Sequence, residues 1–351
     1  MKILSIETSC DETSVALVEA KGGLKYPEFK VIENIVSSQI AVHRPFGGVV
    51  PNLAKREHLK NLPKILQKLK IKNLKFKIDA VAVTVGPGLE PALWTGIEYA
   101  KQLSKDLNKP LIGANHMEGH LYSNWLPRKI AALASTRRSA RNDGIRFPAI
   151  ALVVSGGHTI LLKMDSLTKW KNLGETLDDA AGEAFDKVAR MLKLPYPGGP
   201  EIQKLALRQA QGKHPKGTIK FPRPMLRDDN YKFSFSGLKT SVLYYLRDNP
   251  KAKKEDVAAS FQQAVLDVLV GKTMRAARAY RAKSVLLCGG VSANVALRES
   301  LKESAEKYGM KFFVPEFEYN TDNAAMIAAA AYIQYLRKKK LKLEANSNLS
   351  L

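Results

Sequence analysis

The stretch that decides the fold is the opening one, residues 2–19, KILSIETSCDETSVALVE. It reads as two short strands, 2–6 and 14–19, joined by the polar turn Thr8-Ser9-Cys10-Asp11-Glu12-Thr13. Working outward, residues 31–38 suit a third strand, and 52–70 carry Leu53, Leu59, Leu62, Ile65, Leu66 and Leu69 at the spacing of a basic amphipathic helix. A buried strand follows at 79–85 (DAVAVTV), then the breaker GPGLEP, a helix from Trp94 to about Leu107, and a strand from Pro110 to Ala114. The same rhythm restarts at residues 148–164, PAIALVVSGGHTILLKM, with strands 148–154 and 159–164 around Ser155-Gly156-Gly157-His158. A mainly helical stretch over 178–280 precedes a buried strand, Ser284–Cys288. A helix from Asn294, a strand at 311–314 and a last helix at 322–338 complete the series.

Two halves that each open on a hairpin predict an α/β protein built as a duplicated two-lobe fold with a cleft between the lobes. The expected division is a first lobe over 1–127, a basic linker over 128–147 and a second lobe over 148–338 containing the helical insertion. The last helix is expected to pack back toward the first lobe, leaving 339–351 as a basic, polar tail.

At 351 residues and 45% hydrophobic, the chain is long enough for two cores. No apolar run approaches the ~20 residues needed to cross a bilayer. The first residues lack the apolar core of a signal peptide, and Cys10 and Cys288 offer no disulfide framework, so a reducing cytoplasm is expected. The net charge of +23 points to a polyanionic partner, nucleic acid before membrane, although composition can inflate charge without any ligand. The excess clusters at Lys64–Lys77, Arg128–Arg146 and Arg337–Lys342 without interleaved aromatics, which favours phosphate contacts over base stacking.

Residues 111–122, LIGANHMEGHLY, put His116 and His120 on one helix face, where both rings can reach one ion. Histidines that merely cap or pack are the plainer alternative. Glu118 points off that face, and the position of a zinc protease's base, directly after the first histidine, is Met117. Asp322 either caps the last helix or supplies a third ligand. The turn from Val154 through Ser155, Gly156, Gly157 and His158 lets backbone N–H groups approach an anion. Gly289-Gly290, leading into a helix at Asn294, repeats the idea. Two such turns, at equivalent points of two half-repeats, favour a nucleotide. Asp11 and Glu12 form an acid pair in the first hairpin turn, costly unless solvated or oriented. Asp178, Asp179, Glu183 and Asp186 share a helical segment in which some acids serve only surface pairs.

Together, IETSCDET, GPGLEPAL, NHMEGHLY, VVSGGHT, DDAAGEAFDKVARML, YPGGP, FSFSGLKT, LCGGVSANVALR and YNTDNAAMIA cover nearly the whole chain in order. This set resembles the TsaD family of tRNA N6-adenosine threonylcarbamoyltransferases, formerly called glycoproteases, and its bacterial branch in particular. The resemblance implies the actin, sugar-kinase and heat-shock-ATPase fold with a nucleotide cleft. It implies one divalent metal, iron (Fe2+) ahead of zinc, on His116, His120 and Asp322. It implies that Val154 to His158 line the substrate site, with Asp186, Gly199 and Asn294 toward the nucleotide, and that Asp11 and Glu12 matter for activity. The implied reaction moves threonylcarbamoyl from threonylcarbamoyl-AMP, whose site ATP or AMP can also occupy, to N6 of the adenosine beside the anticodon. The implied substrates are tRNAs reading codons that begin with A, and the implied partners are a TsaB-like paralogue and a TsaE-like ATPase. Two departures stand out: segment 128–146 is longer than is usual, and Gln203 stands where an acid is often found.

The alternative of a small-molecule kinase or ATPase of the same superfamily requires a magnesium-bound acid and has no use for His116 and His120. A non-catalytic scaffold predicts decayed motifs, and none is decayed.

Overall fold

Burial along the first hairpin follows from its letters. Strand β1 (Lys2–Glu7) is buried from Ile3 onward, and β2 (Glu12–Lys21) from Thr13 to Val18. They pair antiparallel, Ile6 opposite Val15 and Glu7 opposite Ser14. Strand β3 (Glu28–Ser38) adds to β2, and α1 (Ile40–His43) and α2 (Pro51–Lys68) follow. Strand β4 (Ala80–Gly86) is buried at every position, as a strand covered on both faces must be. It lies parallel between β1 and β5 (Leu111–Asn115), giving the order β3-β2-β1-β4-β5. Helix α3 (Glu90–Leu107) starts four residues before the expected Trp94, because Pro91 sits in its first turn, where no N–H partner is lost. Helix α4 (His116–Tyr122) leaves β5 directly.

The second set repeats this plan. Strands β6 (Ala149–Val154), β7 (Thr159–Ser166) and β8 (Lys169–Glu175) form the antiparallel meander. Helices α5 (Ala181–Met191), α6 (Gly198–Gln211), α7 (Ser236–Asp248) and α8 (Lys254–Ala279) come next. Strand β9 (Ser284–Cys288), α9 (Val295–Lys307) and β10 (Lys311–Phe313) close the order β10-β9-β6-β7-β8, with β6, β9 and β10 parallel. The two sheets therefore share one topology, β1 matching β6, β4 matching β9 and β5 matching β10. Strand β8 is absent from the sequence reading: KWKNLGE is a polar edge strand with only Gly174 fully buried, so it has no apolar signature.

This computed structural model describes residues 1–69, 78–127, 144–211 and 219–351. Most of the expected linker 128–147 and part of the Lys64–Lys77 cluster lie outside them. Two compact units emerge, one of Met1–Gly144 with Pro315–Leu351, the other of Ile145–Val314. The sequence reading ran the second lobe on to 338. The chain from Pro315 instead belongs to the first unit, because α10 (Ala324–Leu336) is apolar on all sides and packs on β1, β2, β5 and α4. Residues 339–351 are not a free tail. Leu341, Leu343, Ala345 and Leu349 pack on the first core, and the Asn346 N–H donates to the Val85 carbonyl at 2.8 Å. No helix among the described residues is long and apolar enough to cross a membrane.

In the first unit Leu4, Ile6, Val15, Leu17, Val81 and Val83 pack against Leu62, Ile65, Leu93 and Ile97 of α2 and α3. In the second, Ile150, Leu152 and Leu287 meet Phe185, Phe261 and Val265. Gly96 of α3 shows how tightly the first layer closes, since a Cβ there would land inside the Thr8 hydroxyl, which donates to the Ala92 carbonyl at 3.0 Å. Gly96→Ala should therefore destabilise the protein by about 1–3 kcal/mol in denaturant melts. That sign opposes the ~1 kcal/mol gain helix propensity alone predicts, and a stabilised variant would contradict the packing described.

Candidate metal centre and adenylate-binding turns

The site in the first unit forms at the carboxyl ends of the adjacent parallel strands β1, β4 and β5, where ligands of open α/β sheets gather. At the end of β5, the Asn115 side chain caps α4, accepting from the N–H groups of Met117 and Glu118 at 2.8 and 3.1 Å. The helix then presents His116 and His120 with ring centroids 4.6 Å apart. Asp322 precedes α10 and brings Oδ1 to 3.4 Å from His116 Nε2 and 3.2 Å from His120 Nε2. The capping role left open for Asp322 falls to Asn323, whose side chain accepts from Met326 N at 3.1 Å. The three side chains converge as a group that could hold a metal ion.

Their environment fits a cation. His120 is fully buried, yet among the described residues neither ring nitrogen has a hydrogen bond of good geometry. A buried imidazole held only by its 3.2 Å contact with Asp322 is under-satisfied, and coordination of Nε2 would offset that cost. His116 is oriented from behind, with Nδ1 lying 3.0 Å from Glu7 Oε2 and 3.1 Å from Ser9 Oγ. That contact fixes the ring with Nδ1 toward Glu7 and Nε2 toward Asp322, so that a bound cation would take the place of the Nε2 proton. Glu7 is itself held by the Thr84 hydroxyl at 2.6 Å and by the Ser9 N–H. Burial disfavours a charged His116, but Asp322 and Glu7 outweigh it and raise the ring well above its ordinary value. Burial opposes ionisation of Asp322 too, but His116 and His120 hold that carboxyl far below the usual range. Burial lowers His120. Two imidazoles and one carboxylate are a donor set suited to a divalent cation such as iron or zinc.

Sequence reasoning missed Glu7, Ser9 and Thr84. The available signal was Glu7 itself, an acid ending an otherwise apolar strand. Asp11 and Glu12 sit beside the centre, where burial and the carboxylates of Asp11 and Asp322 push Glu12 well up. The same forces raise the Cys10 thiol, which removes it as a thiolate nucleophile.

In the second unit, the Ser155–His158 turn closes by Ser155 N–H to the His158 carbonyl at 2.8 Å and His158 N–H to Ser155 Oγ at 3.2 Å. Gly156 and Gly157 are exposed with open space around them. Helix α5 starts against this turn, Gly182 N–H donating to the Ser155 carbonyl at 3.2 Å. Gly289 has φ +90°, and a Cβ there would strike the Val154 carbonyl, so only glycine fits. The two glycine turns are not at equivalent points of two half-repeats. Both lie in the second unit, at the ends of the neighbouring strands β6 and β9. Their counterparts in the first unit are the Ser9–Asp11 turn and Gly86-Pro87-Gly88.

Asp186 accepts from Gly198 N at 2.7 Å and so shapes the turn carrying Gly199, which has open space above it. Asn294 caps α9 through Leu297 N at 3.0 Å and donates to Gln262 Oε1 at 2.9 Å. Gln203, the departure noted above, accepts from Val295 N at 2.7 Å. Asp178 and Asp179 are structural: Asp178 accepts from Phe235 N at 2.8 Å, and Asp179 pairs with Lys187 and Lys239 at 2.7 and 2.9 Å. Glu7→Gln, which keeps the side chain's shape, should weaken zinc or cobalt binding about 10–100-fold in a direct titration. Unchanged affinity in the folded variant would remove the orienting role of Glu7.

Comparison with known proteins follows the same lines. Residues 30–329 match the family described as TsaD, tRNA N6-adenosine threonylcarbamoyltransferase. The chain is 49% identical over 351 residues to the tRNA N6-adenosine threonylcarbamoyltransferase of Moorella thermoacetica, covering 98% of this chain and 95% of that one. It is 48% identical over 354 residues to that of Thermosipho melanesiensis, with both chains fully covered. Among solved structures it is similar to full-length HypF in the phosphate- and nucleotide-bound form, with a TM-score of 0.55 and 14% identity over 98% of this chain and 47% of that one. It is also similar to the activator of 2-hydroxyisocaproyl-CoA dehydratase from Clostridium difficile, with a TM-score of 0.50 and 15% identity over 96% of each chain. Those two likenesses speak to the fold alone, the actin-like ATPase fold. With 300 of its residues inside the family's match and relatives near half identity over their whole length, the chain belongs to the tRNA N6-adenosine threonylcarbamoyltransferases.

Proposed function

We propose that the chain transfers the threonylcarbamoyl group of threonylcarbamoyl-AMP to N6 of the adenosine adjacent to the anticodon, in tRNAs reading codons that begin with A. The observation that carries the reading is the convergence of His116, His120 and Asp322 in a chain of this family. A small-molecule kinase leaves that convergence without a purpose.

A divalent cation on His116, His120 and Asp322, iron ahead of zinc, would supply Lewis-acid stabilisation of the charge that develops on the donor. The chain's own groups do the rest. The exposed backbone of Gly156 and Gly157 suits the adenylate phosphate, with Ser155 shaping the turn and Val154 and His158 flanking it. Asp186 orients the turn around Gly199 toward the ribose or adenine end. Asn294, engaged by its cap and by Gln262, acts on that side through the placement of its loop. As N6 attacks the carbonyl carbon and the C–O bond to phosphate breaks, AMP leaves and the amine must lose a proton. Asp11 and Glu12, the acid pair of the first hairpin turn, are the groups proposed to take that proton, Glu12 in its ionised form. The net charge of +23 suits tRNA phosphates. A TsaB-like paralogue and a TsaE-like ATPase would complete the system, with the cytoplasm as its place.

Incubating the protein and its partners with tRNA and threonylcarbamoyl-AMP, then measuring nucleosides by mass spectrometry, tests the reading. The threonylcarbamoyl mass should appear on adenosine, and His116→Ala should reduce it at least ~100-fold. Phosphorylation of a small molecule with no modified adenosine would replace this reading with the kinase alternative. A second comparison checks Glu12: Glu12→Gln should lower kcat about 100-fold with KM for tRNA little changed. An unaffected kcat would return the proton to another group.

A further inference from the structure

The metal-site geometry does not use Glu118, although it lies between the two histidines and is 1% exposed. A carboxylate is seldom buried unless paired. Among the described residues, its hydrogen-bond and ion-pair partners come from one place. Oε2 accepts from Gln334 Nε2 at 3.2 Å, and Oε1 lies 3.7 Å from Arg337 Nη1 and 3.6 Å from Lys339 Nζ. Gln334 is in the last turn of α10, and Arg337 and Lys339 follow it. Asp322 stands just before the first turn of the same helix.

We propose that Glu118 is a positioning residue for the metal centre: it ties the far end of α10 to the histidine helix and so holds the Asp322 carboxylate in register with His116 and His120. This rests on the metal reading given above. Two further contacts leave the pair of helices little slack. At Gly119 a Cβ would sit 3.1 Å from Ile327 Cδ1 and 3.2 Å from Met326 Cγ, so the helices approach more closely there than most side chains would allow. At the start of α4, the capping Asn115 donates its Nδ2 to the Ser350 carbonyl at 2.9 Å. Residues 337–351 thus grip the histidine helix at its cap and at Glu118, while α10 lies against Gly119 between them. An apolar residue could fill the space of Glu118, but only a charged group sets direction and distance against two cations, the best-attested use of a buried ion pair.

The test is titration of the full chain with Co2+, reading the visible absorption of the bound ion, with the thermal stability of the metal-free protein measured alongside. Glu118→Gln should bind Co2+ about tenfold more weakly, with an altered spectrum, and should lose kcat while keeping its KM for tRNA. Lys339→Met, at a surface position, should lower Co2+ affinity about threefold in the same direction, and it carries the test if Glu118→Gln does not fold. Glu118→Asp should recover part of the affinity. Wild-type affinity and spectrum in a folded Glu118→Gln, or in Lys339→Met if that alone folds, would overturn the proposal by itself. A wild-type chain that takes no Co2+ would overturn the metal reading and this proposal with it.

Discussion

The constraint on which the first unit depends is the holding of two carboxylates, the buried Glu7 and the half-buried Asp322, against two buried imidazoles, His116 and His120. Groups of this kind leave water only when each finds a partner, and here they are delivered from three distant parts of the chain. Glu7 comes from the end of β1, the histidines from the helix that continues β5, and Asp322 from the approach to α10. Any slip of β1 against β4 by one residue would turn Glu7 to the other face of the sheet and leave His116 without its orienting carboxylate. The apolar packing of Leu4, Ile6, Val81 and Val83 holds that register. Core and centre are thus one construction.

The duplicated topology explains where chemistry collects in each unit. Parallel strands release their chain at the same edge of the sheet, so the residues after β1, β4 and β5, and after β6 and β9, gather there. The first unit places acids and histidines at that edge, and the second places glycines and a hydroxyl. One scaffold thus carries two different sets of turn residues at corresponding strand ends.

Much of this was legible in the letters. The hairpin at each start, the buried strands DAVAVTV and SVLLC, and the paired histidines all carry periodic or spacing signals that survive without tertiary information. What stayed hidden did so for physical reasons. Strand β8 is an exposed edge whose polar residues look like a loop. The segment 339–351 looks like a solvated tail because its anchoring residues, Leu341, Leu343 and Leu349, are separated by polar ones. The choice between cap and ligand for Asp322 turned on its neighbour Asn323, and only folding shows which of the two meets the helix. Glu7 was visible as an acid ending an apolar strand, yet its partner is more than a hundred residues away. Contacts of that range are set by topology, which spacing cannot supply.

X-ray absorption at the edge of the metal bound to the purified protein tests the central claim most directly. One tightly held ion per chain, in a shell of nitrogen and oxygen with the outer scattering of two imidazoles, is the predicted result. Sulfur in the shell, or the same spectrum from a chain lacking both His116 and His120, would contradict it.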